Sequence, residues 1–161
     1  MRTQRKLLAW MMSIILILSI IPATAIADEG ELNVIVGVNE TLEDAVKRTA
    51  GEDHYDTATI TSLSISTAEG SEIDATDFQY MRDTLTALTS VDMSRAKCEE
   101  DKIPDIAFAE ALGTAENNWT PTGRPNLKRF VFPDTVQAIG KYAFFGSGLT
   151  ELSLPSALET L

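Results

Sequence analysis

Few residues in this chain could do chemistry, and none sits in company that would let it. The only histidine, His54, lies in Gly51-Glu-Asp-His-Tyr-Asp56 with no serine or cysteine close in sequence, so it lacks the nucleophile a general base would activate. It reads as a solvated loop residue. The only cysteine, Cys98, falls in the polar run Arg95-Ala-Lys-Cys-Glu-Glu-Asp101, where the acids disfavour a thiolate despite Lys97. It reads as an unreactive thiol, and one cysteine cannot form an internal disulfide, so packing must hold the fold. Glu99-Glu100-Asp101 offers carboxylates without the glycine turn and alternating oxygens of a calcium loop, and reads as a charged loop. Neither a phosphate-cradling glycine loop nor a Cys-x-x-Cys pair occurs. The sequence therefore predicts no catalytic residue, no metal and no cofactor, and the chain is read as a non-enzyme.

The segments that would position a binding surface are easier to read. Arg2, Arg5 and Lys6 precede an apolar run from Leu7 to Ile21, followed by Pro22 and Ala23-Thr-Ala-Ile-Ala27. That is the layout of a secretion signal cut after Ala27, with an uncleaved membrane anchor as the alternative. The run is shorter than the roughly 20 apolar residues a membrane-spanning helix needs. Removing residues 1–27 takes away three of 13 basic and none of 24 acidic side chains, so the net charge becomes 10 minus 24, or −14. A surface so acidic repels phosphate backbones and anionic lipid, which argues against nucleic-acid partners and against membrane binding after signal cleavage.

Repetition organises the rest. Leu127-Lys-Arg-Phe130-Val-Phe132-Pro133 is echoed by Leu149-Thr-Glu-Leu152-Ser-Leu154-Pro155 at an offset of 22. Leu88-Thr-Ser-Val91-Asp-Met93 and Ile60-Thr-Ser-Leu63-Ser-Ile65 carry the same apolar spacing. A second element recurs, since Ile103-Pro-Asp-Ile106-Ala107-Phe108 matches Ile139-Gly-Lys-Tyr142-Ala143-Phe144. In L-x-x-L-x-L the strand period of two sends the fourth and sixth positions to one face and the third and fifth to the other. Stacked copies would share one core, with Phe108 and Phe144 filling its centre and the small alanines allowing close backbone approach.

The third and fifth positions give the candidate binding residues: Ser62 and Ser64, Ser90 and Asp92, Arg129 and Val131, Glu151 and Ser153. A second candidate is Trp119, in an insertion over 109–126 rich in Asn, Thr, Gly and Pro, where it reads either as an exposed anchor for a partner or as a plug over the core. Upstream, Leu32, Val34, Val36 and Val38 alternate with Asn33, Ile35 and Gly37, which predicts a strand. Asn39-Glu-Thr41 then leads into a helix closing at Gly51, with Asn39 a candidate cap. Thr76-Asp-Phe-Gln79 reads as a capping box opening a second helix over about 76–87, whose apolar stripe is core.

At residues 127–144 the chain resembles the BspA-type leucine-rich repeats of bacterial surface proteins: Leu127, Phe130, Phe132, Pro133, Val136, Ile139, Gly140, Ala143 and Phe144 occupy that unit's fixed places. The resemblance is looser over 60–108, where Ser94 stands for the proline and Pro104 for Gly140. The expected fold is an α/β leucine-rich-repeat solenoid with one parallel strand per repeat, preceded by a small strand–helix cap. The expected division is a signal peptide over 1–27, the cap over 28–59, and about four repeats over 60–161 with the last incomplete. The incomplete unit predicts a fragment of a longer solenoid that self-associates through its C-terminal edge. The resemblance implies a secreted or cell-surface protein engaging a protein or glycan on a host or neighbouring cell, and no shared catalytic residue. It also implies a bacterial source, in which the acceptor patterns at Asn39 and Asn118 are silent. The expected function is a recognition or adhesion module; the alternatives are the non-catalytic front of a longer secreted enzyme, or a structural spacer.

Overall fold

The computed structural model describes residues 30–51, 56–110 and 122–161; the cleavage site, His54 and Trp119 lie outside them. The protein is a mixed α/β structure built on a mostly parallel sheet of five strands with few helices. Its strands are β1 (Glu31–Val36), β2 (Ser62–Thr67), β3 (Ser90–Arg95), β7 (Arg129–Val131) and β9 (Glu151–Ser153), hydrogen-bonded in chain order. All neighbouring pairs in it are parallel. Four of these strands begin at the third position of an L-x-x-L-x-L copy.

Alternation decides the faces. Val34, Val36, Leu63, Ile65, Val91, Met93, Phe130 and Phe132 point into one core and are buried. The predicted first strand is shorter than its alternation, because the chain turns after Val36 and leaves Val38 exposed. Helix α1 (Leu42–Ala50) then lays Leu42, Ala45 and Val46 on the core. Its cap is Thr41, whose hydroxyl accepts from the Asp44 N–H, and not Asn39, which takes a left-handed turn conformation. Helix α2 (Ala75–Asp83) starts earlier than predicted. Its capping box is Asp74 with Asp77, because Asp74 reaches the N–H groups of Thr76 and Asp77 while Asp77 accepts from the Asp74 N–H. It also ends earlier, at Asp83, and Leu85 and Leu88 reach the core from the turn that follows.

In a second, two-stranded sheet, β4 (Lys102–Ile103) pairs in parallel with β8 (Ala138–Ile139). Single bridges Ile73–Cys98 and Ala138–Thr160 stand nearby in sequence. The matched second elements are joined through backbone, with the Ile106 N–H donating to the Lys141 carbonyl and the Phe108 N–H to that of Ala143. Ile106 and Tyr142 both hold a left-handed backbone, at φ 58° and 59°, which is costly for a β-branched residue and must be enforced by its surroundings. Gly140 is required by close approach: a Cβ there would sit 2.4 Å from Asp105 Oδ1 and 2.6 Å from the Pro104 carbonyl carbon. The rings of Phe78, Phe108, Phe130 and Phe132 fill the middle, while Phe144, expected at the centre, is only partly buried and packs against them, stacked on Phe108 at 5.6 Å and edge-on to Phe130 at 4.9 Å. A further contact recurs at the position before β2, β3 and β9. The hydroxyls of Thr61, Thr89 and Thr150 donate to the carbonyls of Gly30, Thr61 and Lys128, each in the preceding strand segment.

Candidate binding face

The eight strand residues singled out in the sequence form two straight rows. Register places Ser62 beside Ser90, Ser90 beside Arg129 and Arg129 beside Glu151; the next row runs Ser64, Asp92, Val131, Ser153. Parallel strands stand about 4.8 Å apart, so each row of four spans about 14 Å. Arg129, Glu151 and Ser153 are exposed and the other five partly so; of the inward residues between them Leu63, Val91 and Phe130 are core and Leu152 is exposed. The face is thus rigid underneath and wet on top.

Sequence reasoning missed part of it. β1 extends both rows, with Glu31 beside Ser62 and Asn33 beside Ser64. The signal was present: once Leu32, Val34 and Val36 are assigned inward, Glu31 and Asn33 must face out. Treating that strand as a separate cap concealed it. A third, irregular row carries Ile35, Ser66 and Arg95 across a register shift between β2 and β3.

Asp92 Oδ2 and Arg129 Nη1 approach to 3.7 Å across adjacent strands. Partial burial would raise the Asp92 carboxyl, but hydrogen bonds from Ser94 and the charges of Arg129 and Arg95 outweigh it and hold it below the usual carboxylate range. With Arg129 exposed and Asp92 partly so, the pair contributes little to stability. Small hydroxyls around one fixed ion pair can exchange hydrogen bonds with a polar polymer lying across the strands. They do not form a nucleophile and base.

The other candidates fall out differently. Trp119 belongs to the residues outside the description, but the base of its insertion is closed by β5 (Ala109–Glu110) pairing antiparallel with β6 (Thr122–Gly123). Ala109 itself is core. Arg124, just past this closure, donates to the Arg82 carbonyl. Cys98 is fully buried, not in a polar loop, and burial first, then Asp101 and Glu72, pushes its thiol up to about 12. Glu99–Asp101 forms a single tight turn with Glu100 and Asp101 left-handed. Among the described residues no group of His, Cys, Asp and Glu could hold a metal ion, and no helix is long and apolar enough to cross a membrane. No family model and no curated protein matches this chain.

Proposed function

We propose that this chain is an exported recognition module, a leucine-rich-repeat solenoid that presents its strand face to a protein or glycan of a host or neighbouring cell. The observation that carries this reading is the pair of in-register rows standing open on a sheet whose reverse side is core. Support for repeated units comes from the shared left-handed backbone of Ile106 and Tyr142, the backbone bonds that join their elements, and the threonine hydroxyls before β2, β3 and β9. Export rests on the charge and run-length pattern of residues 1–27, and the expected new N-terminus is Asp28. The surface is a binding face and not a reaction site, because its side chains exchange hydrogen bonds without a poised proton acceptor.

The test is a binding screen of the exported chain against arrays of glycans and against cell-surface extracts, repeated with Arg129→Glu, Ser90→Lys and Ser64→Lys. All three side chains stand on the solvent side, so folding should survive. Binding that falls at least tenfold in these variants, with unchanged circular dichroism, supports the face. Binding indifferent to all three removes it.

A further inference from the structure

The outward face of the main sheet differs in charge from the rest of the molecule. Its three rows carry three acids, Glu31, Asp92 and Glu151, and two bases, Arg95 and Arg129, a net of −1. The rest of the chain holds the other 21 of 24 acidic and 11 of 13 basic side chains, and with them a net of −10 out of −11. The central charges of the face are also committed to one another. Asp92 Oδ2 lies 3.7 Å from Arg129 Nη1, its Oδ1 accepts from the Ser94 N–H at 2.9 Å, and the charge of Arg95 bears on it too.

That balance selects a partner. A polyanion is repelled by the molecule as a whole, and a basic protein is drawn to the acidic surface beyond the face. An uncharged partner meets neither effect. Proteins are gripped mainly by large side chains at a dry, apolar centre. Here the middle of the face is Ser62, Ser64 and Ser90, and its only apolar side chains, Ile35 and Val131, stand in different rows on β1 and β7. Hydroxyl and amide groups around a fixed ion pair suit a polymer that is itself made of hydroxyls.

Spacing gives the polymer a direction. Within a row side chains recur at about 4.8 Å, whereas along one strand they recur on the same face at about 6.6 Å. The shorter step is comparable to one sugar of an extended pyranose chain, so a chain crossing the strands meets one side chain per sugar. A carboxylate can accept from two neighbouring ring hydroxyls, a guanidinium can donate to two, and serine can do either.

We propose that this face binds an uncharged polysaccharide laid across the strands, with about one sugar per strand. The proposal rests on the recognition reading above and narrows its partner to one class. It also makes β1 part of the site, because the exposed Glu31 and Asn33 stand where the sugar beside Ser62 and Ser64 would be held.

Calorimetry of the exported chain with neutral linear probes tests this, using disaccharides and hexasaccharides of β-1,4-glucan, β-1,4-mannan and α-1,4-glucan at low and high salt. One series should bind, its hexasaccharide at least tenfold more tightly than its disaccharide, with less than about a twofold change between the two salt conditions. Asn33→Ala and Ser90→Lys should each weaken the hexasaccharide at least fivefold, while Gln137→Lys, exposed beside β8, should leave it unchanged. No binding by any neutral series, or binding indifferent to both Asn33 and Ser90, overturns the proposal. Salt-sensitive capture of a cell-surface protein or an anionic glycan, lost with Ser90→Lys, also overturns it but leaves the recognition face standing. Indifference of every bound probe to the face variants removes both.

Discussion

The two edges of the main sheet meet water in opposite ways. At β1, the inward side chains Val34 and Val36 are covered by α1, and the edge itself is occupied. Arg48 Nη2 donates to the Ile35 carbonyl at 2.9 Å while Glu40 holds the guanidinium through two bonds and also accepts from the Gly37 N–H. At β9 neither device is present among the described residues, and leucines take the place of the helix. One edge is blocked against further pairing by charge and a helix; the other presents the groups that pairing uses.

If burial separates the two ends, truncation should show it most. Phe108→Ala, in the aromatic cluster, is expected to cost about 3–5 kcal/mol, whereas Leu152→Ala should cost about 1 kcal/mol or less in the monomer. Chemical denaturation of both variants checks this, and similar costs would mean that β9 is covered. Phe144→Ala should fall between them, because Phe144 is only partly buried, and Lys141→Ala beside it should be nearly silent.

The blocked end depends on one carboxylate. Asp77 accepts from the Leu42 N–H at 2.8 Å and so joins the start of α1 to the capping box of α2. Asp77→Ala would leave a buried donor unpaired, with an expected loss of about 1–3 kcal/mol. Thr41→Ala, which removes the other bond at the start of α1, should cost about 1 kcal/mol. A drop in protection of α1 amides, measured by hydrogen exchange, should accompany both and leave β7 unchanged.

The smallest effect sharpens the comparison by pH. Burial first raises the Asp77 carboxyl, against hydrogen bonds from Leu42 and Asp74 that lower it. Folded Asp77 therefore holds its proton more tightly than the unfolded chain does, and its contribution to stability falls as pH rises from its unfolded value through its raised one. Asp83, held down mainly by its hydrogen bond from Arg82, and Asp92 go the other way. Their contribution is present above the ordinary aspartate value and is lost as pH falls through their lowered ones. Melting temperatures measured between about pH 3 and pH 6 should show Asp77→Asn flattening the decline on the rising side, and Asp92→Asn flattening the loss on the acid side. Equal profiles for both variants would contradict the opposite environments.

Strand positions were legible because period-two alternation survives in each copy, from Leu63-x-Ile65 to Leu152-x-Leu154. The outward rows followed from them without any structural knowledge. Helix limits were less legible: Thr76 and Asp74 are both good caps, and only the burial of Asp77 between two helix starts chooses Asp74. Cys98 was misplaced because its neighbours are charged, whereas its own side chain is buried in the core. The open apolar side of the last strand was expected from the sequence, and Leu152 and Leu154 are indeed 55% and 47% exposed.

Strand order has a consequence for how the molecule comes into being. In the main sheet each strand bonds only to its predecessor and successor in the chain, at offsets of 31, 28, 39 and 22 residues. A polypeptide released N-terminus first can add each strand to a surface that already exists, and α1 is in place before any template is needed. Assembly becomes growth from a finished face, so an interruption midway leaves a shorter sheet rather than a tangle.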